Sequence, residues 1–422
     1  MTDADLDGRA RDVLGFSRWW LVAVAAAAMA VVSPYQYVWT ALEGPVGARL
    51  DASEASVGLV FTIFVVVQAG SQVPVGWWRD RHGPRAVTAV AAVLAGGGYL
   101  GLAEAATVPQ VYACYGVGAL GVGVVYTVAV NTALKWFPDR PGLTSGACTM
   151  AFAAGSALAV PVVRASATPS AYPTVLRPMG LLIVVVVLLA ALVLRDPPAG
   201  WRSSDGDGAT AADGGTAATP RQVTPRELAG TGQFWLLYAM FVAVSGAGLL
   251  LTAKVVQVAV HYDLGSLGVT GLSASAATVA ATLLPLAGGA GRLVLGAVSD
   301  RVERRTAMAA AFTACGLALF GLHVAGATGS RAGFLLAVVV ATFCWSAQYA
   351  LFPSLVAAYY GERHSSANYA LLYSGKVWGG VFGGGVAGWL GATAGWPTTV
   401  AVGGGLALAA GVGALALRPP PR

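Results

Sequence analysis

The stretch GWWRDRHGPR, residues 76–85, returns in partial form as GAVSDRVERR at residues 296–305, so Asp80-Arg81 is echoed by Asp300-Arg301 220 positions later. A second echo runs beside it. Asp139-Arg140 and Glu362-Arg363 stand 223 apart, and so do Tyr126 and Tyr349. Two copies of one unit joined head to tail account for such offsets. Each charged stretch is short and is bordered by long apolar runs. Residues 180–194 (GLLIVVVVLLAALVL) carry no charge and are flanked by Arg177 and Arg195, the pattern of a bilayer-crossing helix of about 20 residues.

Apolar runs between charged or Pro/Gly breaks place spans near 18–42, 56–77, 86–106, 110–133, 143–163, 175–194, 232–256, 271–297, 306–326, 332–357, 367–391 and 399–417. The expected fold is therefore an all-α integral membrane protein, with 12 transmembrane helices in two six-helix bundles. Composition agrees: 56% of residues are hydrophobic and 10% charged, against roughly 25% charged in soluble domains. The bundles are predicted at 1–194 and 231–422. Between them, residues 195–230 begin with a stretch rich in Gly, Ala, Asp and Thr that reads as a flexible linker. Near its end Thr224-Pro225-Arg226-Glu227 has the form of a helix start, with Thr as cap, Pro in the first turn and Glu reaching back.

An even number of spans puts both termini on one side. If that side is the cytoplasm, its segments hold 18 Lys or Arg, while the opposite loops hold only Arg49, Arg164, Arg177 and Arg331. Such asymmetry orients the chain in an inner (plasma) membrane with both termini cytoplasmic. The net charge of +6 is spread singly through these loops, which argues against a nucleic-acid surface. The N-terminal residues show no cleavable signal pattern. Cys114, Cys148, Cys315 and Cys344 all lie in apolar stretches without CxxC or Cys/His spacing, so no metal or cofactor site is expected. HExxH, GxSxG and Walker patterns are missing too, and with them the usual signatures of a membrane enzyme.

Three cations fall within spans: Lys254, Arg292 and Lys376. A charge at membrane depth costs about 2.5–3.5 kcal/mol even on lenient insertion scales. Arg292 lies about 10 Å inside its loop and Lys376 about 14 Å inside its own, at 1.5 Å per residue, so both approach the level where the bundles meet. The plain alternatives are snorkelling to the interface or pairing with a buried acid. Of the 19 acids, none sits near the middle of a span, and Glu43 and Glu104 lie near outer ends. The counter-ion is then most economically the substrate, an anion; Arg offers a planar fork and Lys a compact charge. Lys254, near the outer end of span 7, is read either as snorkelling or as a third cation at the outer mouth. His323, alone in an apolar segment, is read as structural.

GWWRDRHGPR matches the G-x-x-x-D-R-x-G-x-R loop of the major facilitator superfamily, which the chain resembles over nearly its whole length. The resemblance implies a gate latch at Asp80, Arg81 and Arg85, with Asp300 and Arg301 as its counterpart. Further segments look like the oxalate/formate antiporter family: YQYVWT (35–40), QAGSQ (68–72), GVGVVYTVAVNTALKWFPDRPGLTSG (121–146), YALFPS (349–354) and NYALLYSGK (368–376). Monocarboxylate carriers share parts of the pattern. Similarity implies that Arg292 and Lys376 hold carboxylates inside an aromatic cage of Tyr37, Tyr126, Trp345 and Tyr349, with Gln36 beside them. The expected activity is exchange of small carboxylate anions across the lipid bilayer by a monomer, and the alternative is proton-coupled monocarboxylate symport. Phe152 stands where a cavity tyrosine is expected, and Trp378 adds bulk after Lys376.

Overall fold

The computed structural model describes residues 3–52, 54–165, 168–198, 201, 222–269, 272–361 and 363–418. Most of the predicted linker (202–221) and Glu362 of the repeated pair lie outside them. Among the described residues, ten helices are long and apolar enough to cross a bilayer. The helix Pro141–Ala165 and the interrupted run 365–393 complete twelve, numbered here as spans 1 to 12 in chain order. A short β-hairpin, Ser266–Val269 with Leu272–Ser275, departs from the all-helical expectation. It occupies the start predicted for span 8, whose helix begins at Ala276.

Spans 3, 6, 9 and 12 carry much of the exposed apolar surface, including Val93, Leu182, Val185, Leu192, Leu317 and Val412. Span 3 packs on span 6, and span 9 on span 12. Spans 4 and 10 are 72% buried over their most apolar windows. Helices apolar all round tolerate lipid on one side, whereas the innermost spans carry the polar side chains. Both chain ends lie at one end of the bundle: Arg9 donates to the Trp201 carbonyl, while Arg305 and Gln233 donate to the Leu417 and Arg418 carbonyls. We call this end the terminal face. The predicted helix start near residue 224 is a capping box there, with the Thr224 hydroxyl accepting from the Glu227 amide and Glu227 accepting from the Thr224 amide.

Four spans are broken rather than continuous. Span 1 is divided at Ser33 and Val38, around Pro34; span 2 at Ser71; span 10 at Ala347; span 11 at Ser374 and again through a π-helical turn, Phe382–Val386. Breaks release backbone groups and redirect side chains, and in transporters they are tolerated where the chain faces other protein rather than lipid.

The halves meet along two seams. Spans 5 and 8 cross through glycines: a Cβ on Gly142 would stand 2.2 Å from the Gly296 carbonyl, and one on Gly146 would stand 2.4 Å from the Arg292 carbonyl. Spans 2 and 11 meet where a Cβ on Gly76 would stand 2.7 Å from the Ser366 carbonyl. Both seams are tight at the terminal face. At the far end Trp39–Leu50 of span 1 and Ala387–Thr393 of span 11 pack chiefly within their own halves.

Candidate functional site

Arg292 and Lys376 belong to the second half but reach groups of the first. The Arg292 side chain is fixed by the glycine crossing beside it, which brings span 5 within reach. Its guanidinium donates to the Thr149 carbonyl at 2.7 Å and to the Tyr37 hydroxyl at 3.4 Å. It lies over the Tyr349 ring, 4.5 Å from the centroid, and its buried Nε has no hydrogen-bond partner. Lys376 follows the Ser374 break. Its ammonium donates to Gln36 Oε1 at 3.0 Å, Tyr373 Oη at 3.1 Å and Gln68 Oε1 at 3.3 Å. Lys376 Nζ is 5.9 Å from the same Tyr349 ring, so the two charges stand within about 10 Å of each other.

Arg292 is 2% exposed and Lys376 1%, which removes snorkelling as an account of either. Among the described residues no acid forms a salt bridge with either cation. All their hydrogen bonds go to neutral oxygens, and an ammonium has nothing to accept with. The amide oxygens of Gln36 and Gln68 must therefore be the atoms that face Lys376.

The aromatic residues close the space between them. Trp345 and Tyr349, on either side of the Ala347 break, are 5.7 Å apart by centroid. Tyr373 lies 5.1 Å from Tyr126 and 6.1 Å from Tyr349. Phe152 packs edge-on against both Tyr37 and Tyr126, so it occupies the cage wall itself. Trp345 sits in a notch made by Gly248, where a Cβ would fall 1.9 Å from the indole. Trp345 Nε1, Tyr349 Oη and Gln68 Nε2 are buried without hydrogen-bond partners among the described residues. Arg292 Nε makes a fourth such group beside them. These N–H and O–H groups leave the enclosure short of acceptors, which an anion supplies.

Tyr37, Gln36, Tyr126, Trp345, Tyr349, Arg292 and Lys376 are thus brought together. Lys254 is not: it is half-buried beside Gly388, twelve residues along span 11 from Lys376 and roughly 18 Å away in helical rise. Trp378 is exposed and faces away from the enclosure. Tyr35 and Trp39, neighbours of Gln36 and Tyr37 in span 1, pack into the core of the first half, where the Tyr35 hydroxyl donates to the Ala95 carbonyl. Gln68, Tyr373 and Thr149 were not singled out from the sequence. Tyr373 was the legible one, since three residues before Lys376 is one helical turn.

At the terminal face each half offers a carboxylate to the other. Asp300 accepts from the Gly142 and Leu143 amides, both at 2.8 Å, at the start of span 5. Asp80 accepts from the Ala367 amide at 3.2 Å, at the start of span 11, and from Lys135 at 3.2 Å. Helix starts present unpaired amides and a positive dipole end. Burial raises the Asp300 carboxyl above its ordinary value, against the pull of the two amides. Arg81 lies over Trp77, and Arg81, Arg85 and Arg301 are exposed, outside these contacts. The arginine in the ion-pair network is Arg79, fully buried, which binds Asp196 at 2.6 Å and Thr132 at 3.0 Å. Asp196 also takes Lys135 at 3.2 Å.

Residues 19–366 and 266–422 match the family model described as Major Facilitator Superfamily. The chain belongs to that superfamily. It is 32% identical over 93% of its length to the oxalate:formate antiporter of Oxalobacter formigenes, covering 89% of that protein. Apicoplast pyruvate carrier 1 of Toxoplasma gondii is 26% identical over 61% of the chain and 55% of that protein. Among solved structures, the major facilitator transporter FucP in its outward conformation superposes with a TM-score of 0.69 at 15% identity, covering 93% of this chain and 97% of that one; it speaks to the fold alone. The protein is a multi-pass major facilitator transporter.

Proposed function

We propose that this transporter exchanges small organic carboxylates, of oxalate or formate type, by alternating access between units 1–194 and 231–422, linked by 195–230. The observation that carries the reading is the pair of buried cations, Arg292 and Lys376, bonded among the described residues only to neutral groups and standing 4.5 and 5.9 Å from the centroid of the same Tyr349 ring. A bound dianion, or one anion at each cation, neutralises the enclosure before the halves rock; empty, two like charges must cross the change uncompensated, which favours exchange over net flow. Tyr37, Gln36, Tyr126, Trp345 and Tyr349 line the anion, while Asp80 and Asp300 hold the terminal face shut. The similarity to the antiporter of Oxalobacter formigenes supports the substrate class. The surplus of Lys and Arg in the loops on that side supports a cytoplasmic terminal face, and the reading takes the plasma membrane as the setting and a monomer as the working unit.

The test is uptake of labelled oxalate, formate, lactate and pyruvate into proteoliposomes, with and without internal anion. Uptake that requires internal anion is expected. Equal uptake into empty vesicles, driven by an inward proton gradient, would replace exchange with monocarboxylate symport, and no uptake of any of the four would end the carboxylate reading.

A further inference from the structure

The helix Asp3–Leu14 precedes the spans and lies against the terminal face of the first half. Leu6, Ala10 and Leu14, four apart and so on one face of the helix, are buried there. Arg9 lies over the Trp201 ring, 5.0 Å from its centroid, and Trp201 meets Trp136 edge-on at 4.8 Å. Past the helix, Arg18 is 1% exposed. It donates to Asp7 of the helix at 2.5 Å, to the Trp136 carbonyl at 3.2 Å, and to both carboxylate oxygens of Asp139, at 2.6 and 3.0 Å. Its guanidinium also covers the Phe137 ring, 4.3 Å from the centroid. Span 4 ends at Trp136 and span 5 begins at Pro141, so one buried arginine ties the N-terminal helix to the turn between them. Proline has no N–H to give, and the first two amides after Pro141, those of Gly142 and Leu143, are the pair that Asp300 holds. Besides burial, the charge of Asp139 pushes the Asp300 carboxyl up, and Arg18 offsets that charge. The second half braces its own turn in the same manner. There Gln222 accepts from the Arg363 amide at 3.0 Å and Asn368 donates to the Val223 carbonyl at 2.9 Å, beside the Ala367 amide that Asp80 holds.

We infer that the N-terminal helix is a clamp on the terminal-face gate, with Arg18 as its positioning residue. Docked, it fixes the 137–140 turn so that the Gly142 and Leu143 amides meet Asp300; undocked, it releases the turn and shifts the transporter toward the form open at the terminal face. The inference rests on the reading of Asp300 as a latch. An ordered turn presents its amides already placed, whereas a loose one must lose chain entropy to meet the carboxylate. The closed form gains that difference only while the helix is docked.

Thiol labelling of Ser145→Cys reports opening at the terminal face, and labelling of Lys254→Cys reports the far end. Both are followed in full-length protein in proteoliposomes with a slow label, so that the rate tracks the open population, after subtracting the label taken up without the added cysteine. Asp7→Asn is expected to speed labelling of Ser145→Cys about 2- to 5-fold, and Arg18→Gln about 10-fold. Labelling of Lys254→Cys should slow in both, because the two ends open in alternation. In an Asp300→Ala background neither variant should add a further change, since all three act on one contact. Faster labelling at both ends, additive effects in that background, or an unchanged rate at the terminal face overturns the clamp. If Arg18→Gln fails to reconstitute, Asp7→Asn decides, since that side chain is partly exposed. Wild-type labelling rates in Asp300→Ala itself defeat the latch reading and the clamp with it; faster labelling in Asp300→Ala beside indifferent Asp7→Asn and Arg18→Gln defeats the clamp alone.

Discussion

Arg292 and Lys376 are not interchangeable cations. Arg292 spreads its N–H groups over Thr149 and Tyr37 and lays its plane on Tyr349, whereas Lys376 fits one ammonium among three oxygens. Arg292→Lys keeps the charge and loses the fork, so it should transport little better than Arg292→Ala. Removing a partner from a buried charged contact costs about 2–5 kcal/mol, and initial exchange rates in proteoliposomes should fall accordingly, with substrate binding by calorimetry falling alongside. A second residue-scale expectation concerns Asp300. Its carboxyl stands above its ordinary value while buried at the seam and returns to it when the seam opens to water. The closed form therefore binds the proton more tightly, so acidification through the range just above ordinary carboxylate values favours closure, and a rise in pH through it favours opening. Thiol labelling of a cysteine placed at Ser145, taken relative to a cysteine on an always-exposed loop so that the thiol's own pH dependence cancels, should slow as pH falls, and Asp300→Asn should remove that remaining dependence. The charged residues of the site were readable from the sequence, because a cation in an apolar span stands out against its neighbours. Gln68 and Thr149 were not, since an amide among apolar residues and a backbone carbonyl carry no such contrast. Arg79 was passed over for a related reason: a motif names positions, while burial decided which arginine turned inward.

The broken helices explain how the site is assembled. Gln36 and Tyr37 lie between the Ser33 and Val38 breaks, Gln68 precedes Ser71, Trp345 and Tyr349 straddle Ala347, and Tyr373 and Lys376 straddle Ser374. Pro34 announces the first of these. The others have no local signal, because Ser71, Ala347 and Ser374 are ordinary helix residues and tertiary packing chooses where the ladder yields. Hydropathy consequently delivered the spans but not their interruptions, and it read straight through the hairpin that delays span 8. At this scale glycines are the sensitive positions. Gly248→Ala leaves no room for the Trp345 indole; it should weaken exchange by displacing one wall while Arg292 and Lys376 stay in place. A KM rise larger than the loss of maximal rate is the expected signature, and unchanged kinetics would show that the notch is not needed. Gly142→Ala forces apart spans 5 and 8 at the Gly296 carbonyl, so labelling of the Ser145 cysteine variant should accelerate even when no anion is added.

At the scale of the whole molecule, the internal echo read from the sequence corresponds to a physical reciprocity: each half extends one carboxylate and offers one helix start, Asp80 to Ala367 and Asp300 to Gly142 and Leu143. Both latches are made from residues of the two bundles themselves. The end of the linker belongs instead to the second half, where the Val223 amide donates to the Tyr360 carbonyl and Asn368 donates to the Val223 carbonyl. The two units behave as lock and key to each other, each carrying one of both. A chain cut between 201 and 222 and produced as two separate polypeptides should consequently find its own partner in the bilayer, co-purify, and recover exchange without any covalent bond between them. Fragments bearing Asp80→Ala together with Asp300→Ala should lose that mutual recognition before they lose their individual folds.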